Sequence, residues 1–259
     1  MIQNRAKEQL EKGDLALGLG LRHNRTVDMG RVLATCGFDF AFIDMEHSPM
    51  EVQTATSIAV ACQDAGVTPL VRVPHGDRII PSRLLDGGAM GIVFPHVDSP
   101  EEARDLVGLC RFPPAGHRSI GGPQVQLGFK AVPQAEAMAV INDGLLVVAM
   151  VESPEAVDRA EEIAAVEGVD VLLIGTNDLC LEMGIPQQYD DPRVIAAFEK
   201  VIAACQKHGK HPGFGGVYDE ERTQRFVEMG SRFILAGGDL GMLMGAASRR
   251  TAFLRGLKL

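Results

Sequence analysis

Two carboxylates stand just past apolar, β-rich runs: Glu152 closes LLVVAMVE, and Asp178 ends the GTND turn that continues VDVLLIG. Carboxylate oxygens with otherwise open positions suit a hard cation such as Mg2+ or Mn2+ better than a closed tetrahedral zinc site, although cobalt and zinc stay open. Asp44, Glu46 and His47 end another such run, and Arg72 ends a third. Singly, each residue has an ordinary role. Glu152 precedes SPEA and suits a helix start, where negative charge is favourable. Asp178 is similar, a lone histidine is more often structural, and Arg72 fits an ion pair. Together they are harder to assign to structure, because two carboxylates on one rim are costly to bury without a cation. On that reading Glu152 and Asp178 hold a metal. His47, with Asp44 and Glu46 beside it, is placed as a general base, and Arg72 offers a planar fork of donors to a carboxylate or carbonyl oxygen.

The lysines narrow the chemistry. A Schiff-base enzyme needs a desolvated amine in the pocket, but Lys7, Lys12, Lys200, Lys207 and Lys258 lie in helical patterns and Lys210 precedes an apolar run. Only Lys130, in a long loop, is even a remote candidate. Carbanion stabilisation then falls to a metal acting as a Lewis acid on a carbonyl. No GxSxG elbow, zincin helix or GxGxxG after the first run is present.

These residues need a scaffold that gathers strand ends. Eight short runs read as strands: Leu15 to Leu21, Phe40 to Glu46, Thr68 to Val73, Gly91 to His96, Leu145 to Glu152, Val169 to Gly175, His211 to Val217 and Arg232 to Gly237. Several are apolar on both pleat faces, as strands between a barrel core and covering helices must be. Helical patterns fit between them, including MEVQTATSIAVACQDAG and PEAVDRAEEIAAVEG behind a Ser153 cap. The spacing predicts a single (β/α)8 TIM barrel over residues 1–259, with the polar residues at its C-terminal mouth. RFPPAGHRSIGGPQVQLGFK, Arg111 to Lys130, is the one long turn-rich stretch.

Composition removes several partners. A net charge of −9 gives no footprint for nucleic acid or an anionic membrane. The five cysteines lack CxxC spacing, so no disulfide is expected. The N-terminal segment has no apolar core and no run spans a bilayer, which places the protein in the cytoplasm.

FDFAFIDMEHSP, VRVP, RLLDGGAMGIVFPHV, FPPAGHRSIG, VESPEA and VEGVDVLLIGTNDL follow one another in an order that resembles the HpcH/HpaI metal-dependent (class II) pyruvate aldolases. The resemblance covers nearly the whole chain. It implies a carbon-carbon lyase that cleaves a 4-hydroxy-2-oxo acid to pyruvate and an aldehyde, with Glu152 and Asp178 as ligands of Mg2+, Mn2+ or Co2+. It further implies that Arg72 supports the enolate oxygen, that His47 in the Asp44 group is the base, and that Asp86 raises its basicity. The turn Gly175, Thr176, Asn177 and Asp178 would receive the substrate carboxylate. A homohexamer, as a trimer of dimers, follows by the same likeness. Met150 replaces a glutamine common in the family, and GTNDLC replaces GPxDLS, which bears on substrate preference more than on the ligands. Arg22, His23, Asn24, Arg25, His75, His117 and Arg118 are the residues available to an anionic or polyhydroxylated aldehyde. Two other readings are a CoA-thioester lyase of the citrate-lyase β type and a non-catalytic 2-oxo acid binding protein.

Overall fold

The computed structural model describes residues 3–122 and 124–258. Its strands are β1 (Ala16–Leu21), β2 (Phe40–Asp44), β3 (Thr68–Arg72), β4 (Gly91–Phe94), β5 (Leu146–Val151), β6 (Val171–Gly175), β7 (His211–Gly215) and β8 (Phe233–Gly238). All pair in parallel and in sequence order, and β8 returns to β1, so the sheet is a closed barrel with helices between its strands. Every expected run forms a strand. Several stop earlier than their apolar pattern, leaving Glu46, Val73, His96, Glu152 and Val217 just outside. At β2 the cause is local: Asp44 Oδ1 accepts the N–H groups of Glu46 and His47 (3.0 and 3.2 Å) and turns the chain out of the sheet.

Alternation along the strands sorts the side chains into two clusters. Phe40, Phe42, Leu70, Val148, Met150, Leu173 and Phe233 fill the barrel axis, whereas Ile43, Val71, Val147, Ile174 and Ile234 pack outward with the helices. Phe40 and Phe233 stack at 4.3 Å between centroids. Gly18 permits this, since a Cβ there would sit 2.0 Å from the Phe40 ring. Inward rows then continue in steps of two to the strand ends, three of them polar. Phe42 leads to Asp44, Leu70 to Arg72, Met150 to Glu152 and Leu173 to Gly175, all at the C-terminal mouth.

The opposite end is plugged. Helix Arg5–Glu11 places Ala6 and Leu10 in the axial cluster. Asn4 caps that helix through Lys7 N and donates Nδ2 to Gly144 O at 2.8 Å, while Ala6 N donates to Thr68 Oγ1 at 3.1 Å. A ligand therefore enters from the mouth. The helix expected after strand two spans Val52–Asp64. The stretch behind Ser153 is two short helices, Pro154–Asp158 and Ala160–Ala164, interrupted at Arg159, and Ser153 Oγ accepts from Ala156 N at 3.0 Å. In the long loop, Arg118 lies over the Phe112 ring and bonds Asp86 Oδ1 at 2.7 Å. No helix among the described residues is long and apolar enough to cross a membrane.

Candidate active site

Asp44 and Arg72 face each other across the β2–β3 pair, where they are in register. Both are buried, and the carboxylate takes the guanidinium in two bonds, Nε to Oδ1 at 3.0 Å and Nη2 to Oδ2 at 2.7 Å. Glu46 adds an ion pair to Arg72 Nη1 at 2.9 Å. Burial alone raises the Asp44 carboxyl, but the bonds and charge of Arg72, then the charge of Arg22, hold it down at about 2. Arg72 is thus fixed in direction and charge. Two of its five N–H donors are taken by Asp44, and the Glu46 contact is a charge pairing that leaves Glu46 Oε2 without a hydrogen bond, so donors remain for a ligand.

Glu152 lies one residue beyond β5 and is 1 % exposed. Its Oε2 accepts the His96 backbone N–H at 2.9 Å, with His96 Nδ1 at 3.6 Å. Gly175 provides the space: an added Cβ would lie 2.1 Å from Glu152 Oε1. Burial pushes the Glu152 carboxyl up to about 7, against the His96 N–H and with the help of the nearby Asp178 charge. Asp178, half-buried, sits in the first turn of helix Thr176–Glu182. Glu152, Asp178, Arg72, Gly175, Thr176 and Asn177 all line one cavity of about 60 Å³ at the mouth. The Thr176 hydroxyl is buried there without a hydrogen-bond partner among the described residues. A buried carboxylate and a half-buried one lining the same cavity, beside an unpartnered hydroxyl, form a donor set that fits a hard cation completed by water and ligand oxygens. Among the described residues no group of three or more His, Cys, Asp or Glu forms a closed cage.

The model of one family, the HpcH/HpaI aldolase/citrate lyase family, matches residues 23–246. The chain belongs to that family. A 4-hydroxy-4-methyl-2-oxoglutarate aldolase from Hapsidospora irregularis is 40% identical over 247 residues, covering 93% of this chain and 91% of that protein. A 2-keto-3-deoxy-L-rhamnonate aldolase from Escherichia coli is 32% identical over 255 residues, 98% and 94% of the two chains. A crystal structure of an HpcH/HpaI aldolase from Desulfitobacterium hafniense DCB-2 superposes with a TM-score of 0.92 at 33% identity, covering 97% of each chain.

The rest of the expected HpcH/HpaI site is spread more widely. His47 stands outside the small cavity with its side chain half exposed; its N–H is tied to Asp44, and its Nε2 lies 3.7 Å from Glu46 Oε2. Asp86 ends helix Ile80–Asp86, where Arg118 engages it, and it forms no hydrogen bond or ion pair with His47 among the described residues. Asp44 acts from behind Arg72 and does not line the cavity. Several contributors had no signal of their own in the sequence. His96 stood at the end of an expected strand, yet its backbone N–H is what contacts Glu152. Tyr218 lines the cavity from the loop after β7. Tyr189 donates its hydroxyl to Asn177 Oδ1 at 2.6 Å from a distant turn.

Proposed function

We propose that the chain is a divalent-metal-dependent aldolase that reversibly cleaves a 4-hydroxy-2-oxo acid to pyruvate, or a related 2-oxo acid, and an aldehyde. One observation carries this: Glu152 and Asp178 line a small cavity together with an Arg72 whose free donors are aimed by Asp44. Glu152 and Asp178 would hold the cation, Mg2+, Mn2+ or Co2+ with zinc also compatible, and when bound it supplies Lewis acidity at the 2-oxo carbonyl.

The residues themselves handle charge and protons. In cleavage the 4-hydroxyl loses its proton, the bond between C3 and C4 breaks, and the aldehyde departs. The electron pair stays on the pyruvate fragment as an enolate, which regains a proton at C3. Arg72 donates its remaining N–H groups to the enolate oxygen. His47 moves the proton from the mouth side, where it is exposed to solvent exchange. The N–H groups of Asn177 and Asp178, in a first helical turn and so without partners inside the helix, receive the substrate carboxylate. Gly175 and Thr176 complete that wall.

Pyruvate release from a 4-hydroxy-2-oxo acid, measured before and after exhaustive chelation, tests the reading. Activity should vanish and return with Mg2+, Mn2+ or Co2+; full turnover in EDTA would sink it. Borohydride with pyruvate should trap no adduct. All five cysteines are unpaired, a usage that suits the reducing cytoplasm. A homo-oligomer, a trimer of dimers by family likeness, is supported by helix Asp239–Arg255. Its one buried residue is Asp239, while Leu243, Met244, Phe253 and Leu254 are exposed apolar side chains. Light scattering that gives a monomer mass would contradict this.

A further inference from the structure

Beside the small cavity lies a second one of about 260 Å³, and Arg22, Phe42, Tyr218 and Leu235 line both. The two spaces thus share a wall, and Arg22 is the one cation on it. Its Nε bonds Asp44 Oδ2 at 2.6 Å, on the same carboxylate that aims Arg72. Among the described residues Nη1 and Nη2 of Arg22 make no hydrogen bond, and the side chain is 47% exposed. Four of its five donors are therefore open. Arg72 is matched by two carboxylates, Asp44 and Glu46, whereas Arg22 has only a share of Asp44.

Arg22 is also held in place. Asp239, with a side chain 2% exposed, accepts the N–H groups of His23 and Asn24 on Oδ2 at 2.9 and 2.7 Å, and that of Leu240 on Oδ1 at 2.8 Å. That pins the turn after β1 to the start of the last helix. Among the described residues Asp239 is the one carboxylate lining the larger cavity, and its oxygens accept from these backbone donors rather than from the Arg22 guanidinium. Gly20, Gly237 and Gly238 contribute no side chains to the space.

We propose that Arg22 is the residue that selects the acceptor, binding a carboxylate on the acceptor fragment and so favouring an anionic acceptor over a neutral one. The 2-oxo acid head occupies the small cavity, C4 lies at the shared wall, and the second carboxylate meets the free edge of the Arg22 fork. A charge-assisted pair of this kind contributes about 1.5–3 kcal/mol, which corresponds to a preference of roughly tenfold to 10²-fold over a neutral acceptor. The assignment rests on the aldolase reading, and the experiment separates the two.

Wild type, Arg22→Gln and Arg22→Lys are compared in condensation of pyruvate with glyoxylate and with its amide. The same proteins are titrated calorimetrically, in the presence of Mg2+, with 2-oxoglutarate and with its 5-amide. Wild type should favour the anion of each pair by tenfold or more, Arg22→Gln should bring both ratios close to one, and Arg22→Lys should keep part of the preference. Unchanged ratios in Arg22→Gln, with rates or affinities for both members falling together, would overturn the proposal and leave Arg22 as a support for Asp44. So would a wild type with no preference. If wild type binds 2-oxoglutarate with an Arg22-dependent preference yet condenses neither acceptor, the aldolase reading fails while the assignment of Arg22 stands.

Discussion

Gly175→Ala isolates one contact on which the site depends. The backbone there has φ −83° and ψ 85°, which alanine can adopt, so the substitution adds a methyl group and little else. That methyl would lie 2.1 Å from Glu152 Oε1, 2.7 Å from Cγ and 2.8 Å from Cδ, all inside the 3.0 Å that real Cβ contacts respect. The Glu152 carboxylate must retreat by about an ångström from the position in which it accepts the His96 N–H. A misplacement of about 1 Å at a reacting centre costs about 10²-fold in rate, or about 2.7 kcal/mol in the transition state. The fold should survive, because overpacking of this kind costs about 1–3 kcal/mol. Steady-state cleavage gives kcat/KM, calorimetry gives the Mn2+ affinity, and a thermal melt shows that the variant is folded. The account predicts a folded protein with kcat/KM down by about 10²-fold and weakened Mn2+ binding. A folded Gly175→Ala variant with kcat/KM within about threefold of wild type would refute the placement of Glu152.

Arg72→Lys keeps a charge but loses the two-pronged bond to Asp44, so turnover should fall by more than about tenfold while pyruvate affinity changes less; an equal loss in both would contradict its role at the enolate. The Asp44 carboxyl, lowered to about 2 from an ordinary 3.8, contributes about 2 kcal/mol to stability, present above pH 3.8 and lost as pH falls through 2. The stability gap between wild type and Asp44→Asn, from urea melts, should therefore narrow by about that amount between about pH 5 and about pH 2, and a constant gap would refute it. Asp239→Ala strands three buried or half-buried N–H donors and should cost about 1–3 kcal/mol in the same melts, whereas a neutral change would show the β1 turn to be held by other means.

The barrel was legible because β5 and β6 are apolar on both faces, and such strands fit only between an axis and covering helices. The placement of two mouth residues was legible for a related reason. Glu152 and Arg72 fall on the inward parity of their strands, two residues past Met150 and Leu70, so the period that builds the axis also carries them to the mouth. Contacts made by backbone or by distant segments left no such trace. The His96 N–H on Glu152, the Tyr189 hydroxyl on Asn177 and the plug of helix Arg5–Glu11 depend on tertiary closure, which no local pattern records. Gly175 was part of an expected binding turn, but its steric duty toward Glu152 emerges only once β5 and β6 are side by side. Asp86 shows the converse. Its motif was clear, but within this chain its carboxylate is taken by Arg118 from the long loop.

Deuterium exchange into the methyl group of pyruvate, followed by proton NMR, tests the central claim most directly, since it reports enolate formation at the donor head without any acceptor. The account predicts exchange that stops after exhaustive chelation, returns with Mg2+, Mn2+ or Co2+, and does not return in Glu152→Gln. Exchange that continues undiminished in chelated protein, or that survives in Glu152→Gln, would contradict it.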